Sequence, residues 1–65
     1  MRLLKVSREY VQMQGRIAKL LAFLQTAEFT SLPLVHQRLL CEQLEVMQDY
    51  ALILRNRIDL MVLSD

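Results

Sequence analysis

The sequence predicts an all-α chain: an antiparallel two-helix hairpin that assembles into a helical-bundle oligomer. Three observations predict it. Apolar residues recur at helical spacing through both halves of the chain. The only proline, Pro33, stands between those halves. The composition is 54% hydrophobic with one glycine, over 65 residues. That is more apolar side chain than so short a chain can hide, since one of this length buries only about 60% of the surface its unfolded form exposes.

The first half reads as one helix, about residues 3–26. Leu3, Val6, Tyr10, Met13, Ile17, Leu20 and Leu24 recur at alternating steps of three and four. A helix is the element that sets such a seam on one side. Beside it runs a second apolar row, Leu4, Val11, Ala18 and Leu21. Gly15 interrupts the helix pattern at a cost of about 1 kcal/mol relative to alanine. With Ala18 and Ala22 it leaves a shallow groove where another backbone can approach.

The turn spans residues 27–32. The apolar pattern stops after Leu24, and Thr26, Thr30 and Ser31 precede Pro33. Proline suits a first helical turn, where its missing N–H is no loss. It also pushes the residue before it, Leu32, out of helical geometry. Ser31 or Leu32 then lies near the cap. Phe29 and Leu32 are apolar and are expected to fold back over the hairpin end.

The second helix runs from about 33 to 63. Its seam is Leu40, Leu44, Met47, Ala51, Leu54, Ile58 and Met61. Its second row is Leu39, Val46, Tyr50, Ile53 and Leu60. A short connection makes the two helices antiparallel neighbours. A lone hairpin has no third layer for the second rows. Other copies are therefore expected to cover Val11, Gly15, Ala18, Leu39, Val46, Tyr50, Ile53 and Leu60. The whole of 1–65 reads as a single domain.

Charge divides along the same line. Residues 1–26 carry a net +4, with Arg2, Lys5, Arg8, Arg16 and Lys19 against Glu9. Residues 27–65 carry a net −3. A turn centred near residue 30 sets Lys19 across from Glu42 and Arg16 across from Glu45. Exposed pairs of this kind contribute about 0–1 kcal/mol each and select register more than they stabilise.

Catalysis is not expected. His36 is the only histidine, without nucleophile or carboxylate at useful spacing, and reads as exposed surface. Cys41 lies next to the seam and reads as a buried, inert thiol. One Cys and one His cannot furnish a zinc site in a single chain, and one Cys makes no internal disulfide. Glu42, Glu45 and Asp49 share a face but lack the Glu-x-x-His element of bundle metal sites. No cofactor or metal is expected. A helix-turn-helix for DNA wants a short, basic recognition helix, and the second helix is long and acidic. "MRLLKV" opens like a signal peptide, but Arg8, Glu9 and Arg16 break any apolar core. No run reaches the ~20 residues of a membrane span. The expected place is the cytoplasm.

One feature points to a ligand. Lys5, Arg8, Gln12, Arg16 and Lys19 make a mostly basic stripe on the first helix. Cations take phosphate, and a ring stacks a base. Arg8, Tyr10, Arg16 and Lys19 are the candidate ligand-binding residues.

From Lys19 to Ile58 the chain reads "KLLAFL", Phe29, Leu32, Gln37-Arg38-Leu39-Leu40, Gln43-Leu44, Met47, Tyr50, Ile53-Leu54 and Arg57-Ile58. This resembles a family of small phage and prophage proteins related to a crAss-phage product. In size and plan the chain is also similar to the anti-CBASS and anti-Thoeris sponge hairpins. It lacks their tryptophan-containing phrase in the second helix. The first resemblance implies a phage-type protein and supplies no catalytic residues. The second implies an oligomer that sequesters a nucleotide immune signal. Together they imply a counter-defence protein, in the host cytosol, acting by stoichiometric binding. The expected partners are the chain itself and a cyclic nucleotide or ADP-ribose-type signal. The alternative is an inhibitor or adaptor that docks an apolar helix face on a host protein. A plain assembly protein is the third reading.

Overall fold

A computed structural model describes residues 2–64. Three helices follow in order: α1 (Arg2–Leu24), α2 (Ala27–Thr30) and α3 (Leu34–Leu63). No strand occurs among the described residues. α1 and α3 pack against each other. The molecule is slender, 49 × 15 × 13 Å. At ~1.5 Å per residue α3 alone accounts for nearly all of that length.

Every residue of both seams is buried or half-buried. Among the described residues the buried part is small: Val6 and Ile17 from α1, Ala51 and Leu54 from α3. Leu54 is 0% exposed and anchors the contact. The second rows behave in the opposite way. Leu4, Val11, Ala18 and Leu21 are exposed, as are Leu39, Val46, Tyr50, Ile53 and Leu60. One apolar stripe per helix is satisfied within the chain, and one is left open.

The connection holds a helical turn of its own. α1 ends at Leu24, two residues short of the expected boundary, because Gln25 and Thr26 donate their N–H groups to Ala22 and Phe23, three residues back. Such bonds tighten a helix end and stop it. Thr26 then caps α2, its hydroxyl oxygen accepting from the Phe29 N–H at 3.2 Å. The hydroxyls of Thr30 and Ser31 donate to the carbonyls of Ala27 and Glu28. These side chains satisfy backbone groups locally, which is why a stretch without apolar period still forms a turn of helix.

Pro33 is the N-cap of α3 (φ −55°, ψ 146°) and not its first helical residue. Its carbonyl accepts the first helical bond, from the Gln37 N–H at 3.1 Å. The Gln37 side chain reaches back and donates to the carbonyls of Leu32 (2.9 Å) and Thr30 (3.2 Å). Phe29 meets Phe23 edge to face, with ring centres 6.2 Å apart, and both are half-buried. Phe29 thus folds back onto α1 as expected, while Leu32 is half-buried beside His36, Leu39 and Leu40.

Cys41 corrects an expectation. Its thiol is exposed, not buried. Successive helical residues are turned by ~100°, so the residue after Leu40 leaves the seam. Among the described residues, no helix is long and apolar enough to cross a membrane.

Candidate functional site

The two flanks of the helix pair differ. On one, the Tyr50 hydroxyl of α3 donates a hydrogen bond to the Glu9 carboxylate of α1. Arg2, Lys5, Val6, Arg57 and Met61 gather on the same side as Glu9. The Tyr50 pKa is raised from its usual value near 10.0. The chief cause is the hydrogen bond to Glu9, followed by partial desolvation and the Glu9 charge, with Arg57 opposing.

The other flank holds a cleft of about 320 Å³. Its floor is Ile17 and Ala51, both buried. Its walls are Tyr10 and Gln14 from α1, and Gln48, Leu52 and Arg55 from α3. Helical spacing builds it. Tyr10 and Gln14 stand one turn apart and are linked, Gln14 Nε2 donating to the Tyr10 hydroxyl at 2.9 Å. Gln48 and Arg55 lie three residues before and four after Ala51, on one face of α3. Ala51 is the one small residue in the α3 seam, so space opens where its side chain stops. The cleft is open to solvent, and hollows of about 420, 360 and 350 Å³ lie elsewhere on the surface, so its lining and not its volume distinguishes it.

The chemistry of the walls is specific. A phenol ring offers a face for stacking. Two primary amides offer donors and acceptors for a polar edge. A guanidinium offers a fork for phosphate or carboxylate. Arg55, Gln48 and Gln14 are absent from the candidates drawn from sequence. For Gln48 and Arg55 the signal is the small residue Ala51 in the seam with polar residues at −3 and +4; no such spacing marks Gln14.

The four sequence candidates are not brought together. Tyr10 is half-buried in the cleft wall. Arg8, two residues earlier, is turned away by about 200°. It lines separate hollows, one with Arg2, Leu4 and Lys5 and another with Ser7, Val11 and Gln12. Arg16 and Lys19 are exposed, about 12 Å and 16 Å further along α1 than Arg8 at 1.5 Å per residue. Glu42 and Glu45 are exposed too, and among the described residues no hydrogen bond joins them to Lys19 or Arg16. Among the described residues, the side-chain hydrogen bond between α1 and α3 is Tyr50 to Glu9 instead.

His36 is exposed, beside Leu32, Leu39 and Leu40. Among the described residues, His, Cys, Asp and Glu form no group of three or more that could hold a metal. The predicted interface residues Val11, Gly15, Ala18, Leu39, Val46, Tyr50, Ile53 and Leu60 are all exposed in the single chain.

Among the described residues the protein is helical, with a polar-walled cleft on one flank and open apolar rows. The Sequestin family matches residues 2–60, and the chain belongs to that family. Comparison with curated proteins and with solved structures finds no match.

Proposed function

We propose that this chain is a phage-type counter-defence protein that sequesters a host nucleotide immune signal by stoichiometric binding. Its working form is an antiparallel hairpin assembled into an oligomer, and the signal is held where two copies meet. The observation that carries this reading is the cleft of Tyr10, Gln14, Gln48 and Arg55. A base stacks on Tyr10, the amides of Gln14 and Gln48 meet its polar edge, and Arg55 takes a phosphate. The family name, Sequestin, fits a capturing role.

Gln14, on the α1 wall of the cleft, is exposed. Val11 and Ala18 lie three residues before and four after Gln14, on neighbouring surface. A second copy that covers this exposed row also closes the cleft. Arg8, Arg16 and Lys19 draw an anionic ligand towards α1 by charge.

The test is depletion of free ligand. Purified protein is mixed with cyclic dinucleotides and with ADP-ribose derivatives, and the ligand left in solution is assayed. Loss of one of them in proportion to protein supports the reading. No depletion of any at equimolar sites overturns it, and the open apolar rows then favour docking on a host protein.

A further inference from the structure

The flank that carries Tyr50 and Glu9 holds a hollow of its own, where the first turns of α1 meet the last turns of α3. Arg2, Lys5 and Glu9 line it from α1, and Arg57 from α3. Its apolar lining is Val6, which is buried, and Met61, which is half-buried. It shares no residue with the cleft of Tyr10 and Arg55.

Helical spacing gathers these groups. Arg2 and Lys5 are three residues apart, and Lys5 and Glu9 are four apart, so they are neighbours on α1. Packing of α3 on α1 then brings Arg57 to them. Three cations meet one carboxylate, a surplus of two positive charges. That carboxylate is already engaged, because Glu9 accepts from the Tyr50 hydroxyl. Arg57 acts on this pair and opposes the rise in the Tyr50 pKa, but one carboxylate cannot balance three cations. Among the described residues, no side-chain hydrogen bond ties Glu9 to Arg2, Lys5 or Arg57. The surrounding charges do not cancel the surplus. Arg8 is exposed and shares the adjoining hollow with Arg2, Leu4 and Lys5. Asp59 is exposed too, but a two-residue step turns it about 200° from Arg57, and it does not line the hollow.

We infer that this hollow is a second anion site, which takes the terminal phosphate of a small phosphorylated molecule. A phosphomonoester carries about −1.5 to −2 at pH 7, which matches the surplus. Arg2 and Arg57 offer guanidinium forks from two different helices, and Lys5 offers a compact, mobile charge. The apolar side of the hollow, Val6 and Met61, excludes water from part of the contact and strengthens the attraction. A phosphodiester or a carboxylate brings one charge and leaves the other cation unmatched. This site goes beyond the capture of a nucleotide proposed for the cleft and stands without it.

Magnetic resonance of the isotope-labelled full chain tests it through the arginine Nε–H signals. Sodium phosphate is added at neutral pH, against sodium chloride of matched ionic strength. The signals of Arg2 and Arg57 are expected to move and saturate with phosphate. Arg38, exposed on α3 and outside the hollow, is expected to stay still. Arg57→Gln and Lys5→Gln are each expected to weaken binding at least about tenfold. Both positions are exposed, and circular dichroism checks that helix content is kept. Glu9→Gln keeps an acceptor for Tyr50 and raises the surplus, so it is expected to tighten binding about two- to fivefold. Dimethyl phosphate, with a single charge, is expected to bind about fivefold more weakly than phosphate.

The inference is overturned if phosphate gives no saturable shift, or moves Arg38 as much as Arg2 and Arg57. Binding that ignores both Arg57→Gln and Lys5→Gln overturns it as well. Dimethyl phosphate bound as tightly as phosphate overturns the assignment to a terminal phosphate. A chain that binds phosphate here but depletes no nucleotide overturns the proposed function and leaves this site intact.

Discussion

Tyr50 of α3 donates its hydroxyl hydrogen to the carboxylate of Glu9 of α1. The two residues are 41 apart in sequence and tie the helices on one flank. A phenolate cannot donate that hydrogen and would face the Glu9 charge. The Tyr50 pKa is accordingly raised in the folded chain. Its contribution to stability is whole below the ordinary value near 10.0 and is lost as pH rises through the raised one. An ultraviolet titration is expected to show a tyrosine step above the ordinary range, removed by Tyr50→Phe. Glu9→Gln is expected to bring it back towards that range. A Tyr50→Phe titration identical to wild type would count against the contact.

Leu54→Ala is expected to be the most damaging single truncation. Leu54 is fully covered, and the rest of the buried core is Val6, Ile17 and Ala51. Buried Leu→Ala changes cost about 2–5 kcal/mol. Small domains carry a total stability of about 5–15 kcal/mol, and one this size sits low in that range. Leu63→Ala, at an 81% exposed position, is the control and is expected to cost about 0.5 kcal/mol or less. Urea melts followed by circular dichroism compare the two. Equal losses would show that the helix contact does not depend on Leu54.

Both seams were legible in the sequence, because a residue at helical period declares its face wherever the helix begins. The exposed second rows were legible for the same reason. The helix ends were less so. Thr26 and Gln37 decide them through hydrogen bonds to single carbonyls, which leave no periodic trace. Tyr10 marks part of the cleft, but Arg8 does not share it, because a two-residue step puts those side chains on different faces. Arg55 was hidden because the cleft depends on which residues of α3 stand beside Tyr10, a relation between elements. The Tyr50–Glu9 contact was hidden likewise, since charge alone pointed to Lys19 and Glu42 instead.

Gln37 holds the turn to the start of α3. Its side-chain amide donates to two carbonyls that precede the helix, those of Thr30 and Leu32. Gln37→Ala is expected to cost about 0.5–1.5 kcal/mol, the range for a typical net hydrogen bond. Gln37→Glu, which keeps the size but loses the donor, is expected to cost at least as much. Thermal melts of the two variants check this. A Glu variant as stable as wild type would remove the amide from the argument.

Gly15 separates helix stability from assembly. A Cβ built at Gly15 meets nothing within 4 Å in the single chain. Gly15→Ala therefore gains about 1 kcal/mol of helix propensity. In a chain of this size that raises the Tm by about 4–8 °C. The same methyl fills the groove where a second copy is proposed to approach. Melts over a range of concentrations are expected to show a higher Tm when dilute and a weaker rise of Tm with concentration. A higher Tm with the concentration dependence intact would take Gly15 out of the interface.

Arg55 tests the cleft against the basic stripe. Both offer cations to an anionic ligand, but they lie on different faces of the molecule. Arg55 stands in the wall with Tyr10 and the two glutamines. Arg8 stands with Leu4 and Lys5. A hydrogen bond to a charged group is worth about 1.5–3 kcal/mol, so Arg55→Ala is expected to weaken nucleotide binding about 10- to 150-fold. Tyr10→Ala is expected to weaken it about 5- to 150-fold through lost stacking of about 1–3 kcal/mol. Arg8→Ala contributes only long-range attraction, so its effect is expected to be small and to vanish in added salt. Titration calorimetry at low and high salt reads all three. Should Arg8→Ala abolish binding while Arg55→Ala leaves it whole, the ligand belongs on the outer face of α1 and the cleft is empty of function.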